Sequence, residues 1–179
     1  MTSLQEPQIY QTPINLPDEE HLWVVAHVRP RCEKKLGQFC GQRGISFYLP
    51  LRRDLHSYGG RTKAFLKPLF PGYVFCMTDH DGVGSLRQNR YVANLLDVAD
   101  QALLVRQLRQ IEYALSVDDA LEIMPYLEEG RPVRVISGPF KGLEGKVCRI
   151  KGRTKVVINV DMIQKSVPIE LEKCLLGPG

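Results

Sequence analysis

Cysteine, histidine and paired carboxylates are the side chains that give a protein catalytic or metal chemistry, and their spacing in this chain supports neither. Cys32, Cys40, Cys76, Cys148 and Cys174 form no Cys-x-x-Cys pair and have no nearby histidine at zinc-ligand spacing. The expected state is a set of reduced, mostly buried thiols, without a disulfide framework or a metal. His21, His27, His56 and His80 are scattered without evident partners, and there is no paired-carboxylate motif, nucleophile elbow or phosphate-binding glycine loop. Catalysis is therefore not expected, and no cofactor is implied. What remains is binding chemistry carried by cations and aromatic rings.

The charge is segregated along the chain. Residues 29–67 hold ten Lys/Arg against two acids, residues 68–129 four against ten, and residues 130–179 ten against four. Two basic blocks around an acidic one either attract polyanions such as nucleic acid, through long-range attraction and counterion release, or simply form solvated faces. The length of 179 residues admits one ordinary domain or two small ones. With 44% hydrophobic and 25% charged residues the composition is that of a soluble globular protein. No apolar run approaches the roughly 20 residues of a membrane-spanning helix. Residues 1–20 lack the basic start and apolar centre of a secretory signal and contain Pro7, Pro13 and Pro17. They are expected to form a disordered tail, and the protein to be cytoplasmic.

The binding groups need elements to position them. Residues 22–28 are a compact, β-branched run that reads as a buried strand. Arg29-Pro30 opens a helix, with proline where its missing N–H costs least. Over residues 31–43, Cys32, Leu36, Phe39 and Cys40 share one side, and Arg31, Lys34, Lys35, Gln38 and Gln42 lie on another; Gly44 ends the helix. A second strand covers residues 45–51. The polar residues 52–67, centred on Gly59-Gly60, are a β-hairpin or a flexible loop. Pro68, Pro71 and Gly72 punctuate the approach to a third strand. A short helix at 83–89, a fourth strand at 92–98 and a helix at about 103–117 follow, the last with Leu104, Leu108, Ile111 and Leu115 in a row. The β-α-β-β-α-β order plus a helix is that of a ferredoxin-like α/β sandwich. Residues 118–129 are acidic, contain Pro125 and suit a linker. Four short strands at 133–136, 146–150, 155–160 and 165–171, separated by glycine-bearing turns, then read as a small β-barrel. Such a core is marginal but viable without staples.

Trp23-Val24-Val25, Arg29-Pro30-Arg31, Glu33-Lys34, Tyr48-Leu49-Pro50 and Pro68-Leu69-Phe70-Pro71-Gly72-Tyr73-Val74-Phe75 together resemble the N-terminal domain of NusG-family transcription factors. Val133-Arg134-Val135 with Gly138-Pro139-Phe140-Lys141-Gly142-Leu143-Glu144-Gly145-Lys146-Val147 resembles the KOW motif that follows it. The likeness runs over residues 23–176 in the family's order. Gly60-Arg61-Thr62 and the Pro-Leu-Phe-Pro wording look closer to RfaH-like specialised paralogues than to housekeeping NusG. The resemblance implies an α+β protein: a tail (1–20), a NusG N-terminal (NGN) domain (21–117), an acidic linker (118–129) and a KOW domain folded as a small SH3-like β-barrel (130–179).

It also implies roles. His27, Phe70, Pro71 and Tyr73 fall on the surface that accepts the clamp helices of the largest RNA polymerase subunit, although on the residues alone Phe70 and Phe75 read as strand core. Arg29, Arg31, Lys34, Lys35 and Gln38 fall where relatives approach the non-template DNA strand, and cationic contacts to phosphate give affinity without base choice. The family's second contact, to the polymerase gate loop, is not carried over, because Gly82-Val83-Gly84-Ser85 offers only the Ser85 hydroxyl. Phe140 and Ile163 correspond to partner-binding positions of the barrel, the family's partners being termination factor Rho or a ribosomal small-subunit protein; the Phe140 ring is either exposed or folded back. Some RfaH-like factors refold this domain, but the Val/Ile-rich alternation favours the barrel. The implied function is transcription elongation and antitermination by a monomer with no membrane contact. A ribosome- or RNA-binding KOW protein is the alternative, and the N-terminal domain, which such proteins lack, separates the two.

Overall fold

A computed structural model describes residues 11–171 and 176–179, so Cys174 and the first half of the expected tail lie outside the described residues. In chain order the elements are β1 (Leu22–Val28), α1 (Glu33–Arg43), β2 (Ser46–Tyr48), β3 (Leu51–Tyr58), β4 (Arg61–Pro68), β5 (Tyr73–Thr78), α2 (His80–Arg87), β6 (Val92–Asp97) and α3 (Gln101–Val117). They continue with β7 (Met124–Pro125), β8 (Arg131–Val135), β9 (Glu144–Ile150), β10 (Arg153–Val160), a 3-10 turn (Asp161–Ile163), β11 (Lys165–Glu170) and β12 (Leu176–Pro178). By packing, the chain divides into two units, one from residues up to 49 with 71–101, the other from residues 50–70 with 102 onward.

In the first unit, β2-β5-β1-β6 form an antiparallel sheet, and α1 and α2 make the helical connections of a split β-α-β-β-α-β arrangement. Trp23, Val24, Val25 and Ala26 of the central strand β1 are all buried, which is why this strand reads as a continuous apolar run without alternation. The Trp23 indole N–H donates to the Asn15 carbonyl at 2.8 Å. The Gln101 side chain accepts from Trp23 N at 2.7 Å and donates to Trp23 O at 2.9 Å. Residues 11–15, expected in a disordered tail, are instead tied to this sheet. Thr12 exchanges hydrogen bonds with the Phe47 backbone, Gln11 accepts from Leu49 N, and Ile14 is buried.

Two helix starts differ from expectation. Cys32 N donates to Arg29 O at 3.1 Å and Arg31 has φ 62°, so residues 29–32 form a turn and α1 begins at Glu33. Pro30 sits in that turn, outside the first helical position. The second helix starts at His80, ahead of the expected residue 83, because the Asp79 carboxylate caps it by accepting from Gly82 N at 2.8 Å.

In the second unit, β3 and β4 pair without interruption from Leu51↔Pro68 to Tyr58↔Arg61. Gly59 and Gly60 have φ 54° and 79°, the left-handed values that a two-residue type I′ turn requires, so the polar stretch is a regular hairpin. Its base is closed by Leu69 N donating to Pro50 O at 2.8 Å. Arg53 reaches Asp119 through its backbone N–H at 2.6 Å and its Nε at 2.9 Å. The remaining strands form an antiparallel sheet in the order β12-β8-β9-β10-β11-β7. The four expected strands are β8 to β11. Their core is Val133, Val135, Leu143, Val156, Ile158, Val160, Val167 and Ile169.

Residues 124–127, expected in a linker, are packed in this unit. Met124 and Pro125 pair with Ser166 and Lys165 at the sheet edge, where a proline without an N–H is tolerated. Asn159 and Ser166, directly opposed across β10 and β11, give Leu127 one acceptor and one donor. Leu127 N donates to Ser166 Oγ at 3.0 Å, Asn159 Nδ2 donates to Leu127 O at 2.9 Å, and Ser166 Oγ donates to Asn159 Oδ1 at 2.7 Å. On α3 the buried residues are Leu104, Val105, Leu108, Ile111 and Ala114, with Leu115 only half-buried. Three of its polar side chains bind backbone in the strands and loops of this unit. Gln107 accepts from Asp161 N at 3.1 Å, Gln110 accepts from Glu144 N at 2.9 Å, and Tyr113 donates to Lys141 O at 2.7 Å.

Candidate functional site

His27 and Tyr73 are opposed across β1 and β5, and their rings stack with centroids 5.2 Å apart and planes at 28°. His27 is exposed and Tyr73 half-buried, and Pro71, also exposed, precedes the intervening turn. Gly72 forms that turn with φ 89°, a conformation costly for a residue with a Cβ. An added Cβ would lie 3.6 Å from the His27 ring. The turn is fixed on both sides: Val28 N donates to Gly72 O at 2.8 Å, and Gly72 N donates to the Glu33 carboxylate at 2.8 Å. Glu33 is buried and belongs to the first turn of α1, so the helix sets the position of the turn that carries the aromatic patch. Phe70 differs from its expected role. It is 1% exposed, so its ring is core and offers no surface for a partner. Phe75 is fully buried, as its core reading required.

The expected basic face lies on α1 and the turn before it. Arg29, Arg31, Lys35 and Gln38 are exposed and Lys34 half-buried. Among the described residues none of the four cations has an ion-pair partner. Sequence reasoning missed Arg90 and Tyr91, which complete the face. Lys35 Nζ lies 6.0 Å from the Tyr91 ring centroid, and the Arg90 guanidinium lies 5.0 Å from it while donating to the Tyr91 hydroxyl at 2.9 Å. Arg29 N donates to Tyr91 O at 2.8 Å, which locks the two segments together. The signal was the adjacent basic and aromatic pair at the approach to β6; what hid it was the sequence distance from α1. Unpaired cations can take phosphates, and a ring flanked by cations can take a base.

The two C-terminal positions separate. Ile163 is 4% exposed and belongs to the core of the sheet, so it does not present a partner surface. The short 3-10 turn that holds it points its side chain inward, which a lone apolar residue ahead of the last strand could not reveal. Phe140 is half-buried, in a loop tightened by Lys141 N to Gly138 O at 3.1 Å and Leu143 N to Phe140 O at 3.0 Å. Ile136, 52% exposed, is a large apolar side chain open to solvent in this region. Ser85 is half-buried in α2.

Among the described residues the thiols form no catalytic or metal site. Cys40 and Cys76 are buried with their sulfurs 3.9 Å apart, and the neighbouring Cys40 sulfur together with burial pushes the Cys76 thiol well up. Cys32 and Cys148 are half-buried. Among the described residues no group of three or more His, Cys, Asp or Glu is placed to hold a metal ion, and no helix is long and apolar enough to cross a membrane.

A family model described as "Transcription termination factor nusG" matches residues 21–112, just over half of the chain. The transcription termination/antitermination protein NusG of Thermus thermophilus is 27% identical over 127 residues, covering 64% of this chain and 69% of that protein. Its namesake in Staphylococcus aureus strain Mu50 is 29% identical over 133 residues, covering 69% of this chain and 72% of that protein. The matched segment holds β1, α1, β5 and β6, and with them the stacked His27–Tyr73 pair and the Lys35–Tyr91–Arg90 face. By this match over more than half of its length, the chain belongs to the NusG family.

Proposed function

We propose that this chain is a transcription elongation and antitermination factor that grips RNA polymerase through His27, Pro71 and Tyr73. The observation that carries the reading is the stacked His27–Tyr73 pair beside a turn locked by Glu33. Aromatic contact area already held in place binds at low entropy cost, as binding hot spots require. In this family such a shallow patch fits the clamp helices of the largest polymerase subunit. Arg29, Arg31, Lys34, Lys35 and Gln38, now joined by Arg90 and Tyr91, lie against the exposed non-template DNA strand.

The strand order β12-β8-β9-β10-β11, in which the last strand pairs back onto the first, supports reading residues 130–179 as a KOW domain with an SH3-like barrel. Residues 21–117 are then the NGN domain and residues 118–129 the connection. With Ile163 in the core, Ile136 and the half-buried Phe140 ring offer apolar surface to Rho or to a ribosomal small-subunit protein. The Gly60-Arg61-Thr62 turn and the Pro68 to Pro71 wording favour an RfaH-like, operon-specific role.

The test is capture of core RNA polymerase by the His27→Ala/Tyr73→Ala double variant, beside elongation on templates with pause sites and a Rho terminator. Lost capture with intact folding is expected, together with a lost effect on pausing or termination. Undiminished capture removes the polymerase surface, and co-elution with ribosomes in place of polymerase favours an RNA-binding KOW protein.

A further inference from the structure

The β3–β4 ribbon has two chemically different faces. Its register puts His56, Tyr58 and Phe65 on one face with Arg61, Lys63 and Lys67, whereas Leu51, Leu55, Ala64 and Leu66 share the other. On the first face the rings form a cluster. His56 stacks on Tyr58 with centroids 6.0 Å apart and meets Phe65 edge-on at 5.6 Å. The two outer rings are open to solvent, Tyr58 at 64% and Phe65 at 38% exposure. Charge on this face is sorted. Asp54, its single acid, is taken by Lys67, which also contacts His56. Arg61 and Lys63 are exposed and, among the described residues, have no ion-pair partner.

Rings held open beside unneutralised cations on one side of a regularly paired ribbon are the composition of a single-strand binding surface. Bases stack on the rings and the cations follow the phosphates. A duplex keeps its base faces inside the helix and leaves the rings without a stacking partner. We propose that this face of the hairpin binds single-stranded nucleic acid, with Tyr58 and Phe65 as stacking platforms and Arg61 and Lys63 as phosphate contacts. It lies in the second unit and belongs to none of the residues given to the polymerase or to α1, so it stands or falls independently of that reading.

Tyr58→Trp in the full chain supplies a direct probe, because the single native tryptophan, Trp23, is fully buried. Titration with oligothymidylate of about 15 nucleotides is expected to quench the new indole by stacking. The test is run in a Lys34→Glu/Lys35→Glu/Tyr91→Ala background, which removes two cations and the ring of the α1 face, so that changes on the hairpin are read against a weakened second surface. In fluorescence anisotropy with the same oligonucleotide, Tyr58→Ala/Phe65→Ala is expected to weaken affinity roughly tenfold or more, in line with stacking losses elsewhere. Arg61→Glu/Lys63→Glu is expected to reduce the slope of log affinity against log salt by at least about 1.4, the share of two phosphate contacts on a single strand. An oligoribonucleotide of equal length distinguishes RNA from DNA as the bound strand, and tighter binding of either supports the proposal. Absence of indole quenching overturns it, as does preference for duplex of equal length or for anionic phospholipid vesicles. Unchanged affinity in both double variants, with hairpin amide signals intact, overturns it as well.

Discussion

The Glu33 carboxylate at the start of α1 accepts the N–H of Gly72 at 2.8 Å, joining a helix to a turn far away in sequence. Glu33→Ala leaves that N–H without its partner. The expected cost is about 1–3 kcal/mol of stability by urea unfolding, with weaker capture of polymerase. Glu33→Gln keeps an accepting oxygen and should retain most of both. Equal behaviour of the two variants would mean that the carboxylate does not hold the turn.

The face formed by α1 and Tyr91 should bind single-stranded DNA with a strong salt dependence. Lys35→Glu and Arg90→Glu are each expected to lower the slope of log affinity against log salt by at least about 0.7. Tyr91→Ala should cost about 1–3 kcal/mol of binding without changing that slope, since it removes a stacking ring and no charge. Anisotropy at three salt concentrations separates the two effects. A Tyr91→Ala variant that binds like the native chain would leave the ring with a packing role alone.

Gly82 is excluded from carrying a side chain by its neighbour. A Cβ there would stand 1.8 Å from Thr78 Oγ1 and 2.9 Å from Thr78 Cβ. Gly82→Ala should therefore destabilise by about 1–3 kcal/mol despite the better helix propensity of alanine. Combining it with Thr78→Ala should recover part of the loss, giving a coupling of at least about 0.5 kcal/mol in a double-mutant cycle. Strict additivity would place the strain elsewhere.

Ser166 connects Leu127 to Asn159 inside the second unit. Ser166→Ala strands the Leu127 N–H, with an expected loss of about 1–3 kcal/mol. Amide hydrogen exchange should locate the effect, with the Leu127 amide exchanging faster while the β9–β10 pairing stays protected.

Lys67 and His56 bracket the Asp54 carboxylate, and Lys67 is the main reason that its pKa sits below the ordinary carboxylate value. A depressed folded-state pKa means that the interaction is complete at neutral pH and is lost as pH falls through that value. Lys67→Ala should move the Asp54 titration to higher pH, as followed by carboxyl carbon NMR. An unmoved midpoint would assign the shift to His56.

Much of the fold was legible because local chemistry and global topology agree. The apolar run of β1, the left-handed Gly44 and the Gly59-Gly60 pair each specify their element within a few residues. The functional surfaces were harder to read. Phe70 and Tyr73 flank Pro71-Gly72, and periodicity cannot tell which side of such a turn faces the core; Phe70 went inward and Tyr73 outward. Tyr91 meets Lys35, and brings Arg90 with it, because β6 lies beside β1, a pairing that no local pattern encodes. The packing of residues 124–127 depends on Asn159 and Ser166 being opposed across two strands, where hydrophobicity gives no signal at all.

Gln107, Gln110 and Tyr113 hold the backbone of Asp161, Glu144 and Lys141 through uncharged groups. At 0.1 M, salt screens the attraction of exposed charges beyond about 10 Å and weakens it at shorter range, whereas neutral hydrogen bonds of this kind are scarcely affected by it. Ionic strength therefore acts on this protein as a selective solvent variable. Raising it should release a bound polyanion from the cationic surfaces while α3 keeps its hold on the strands beside it.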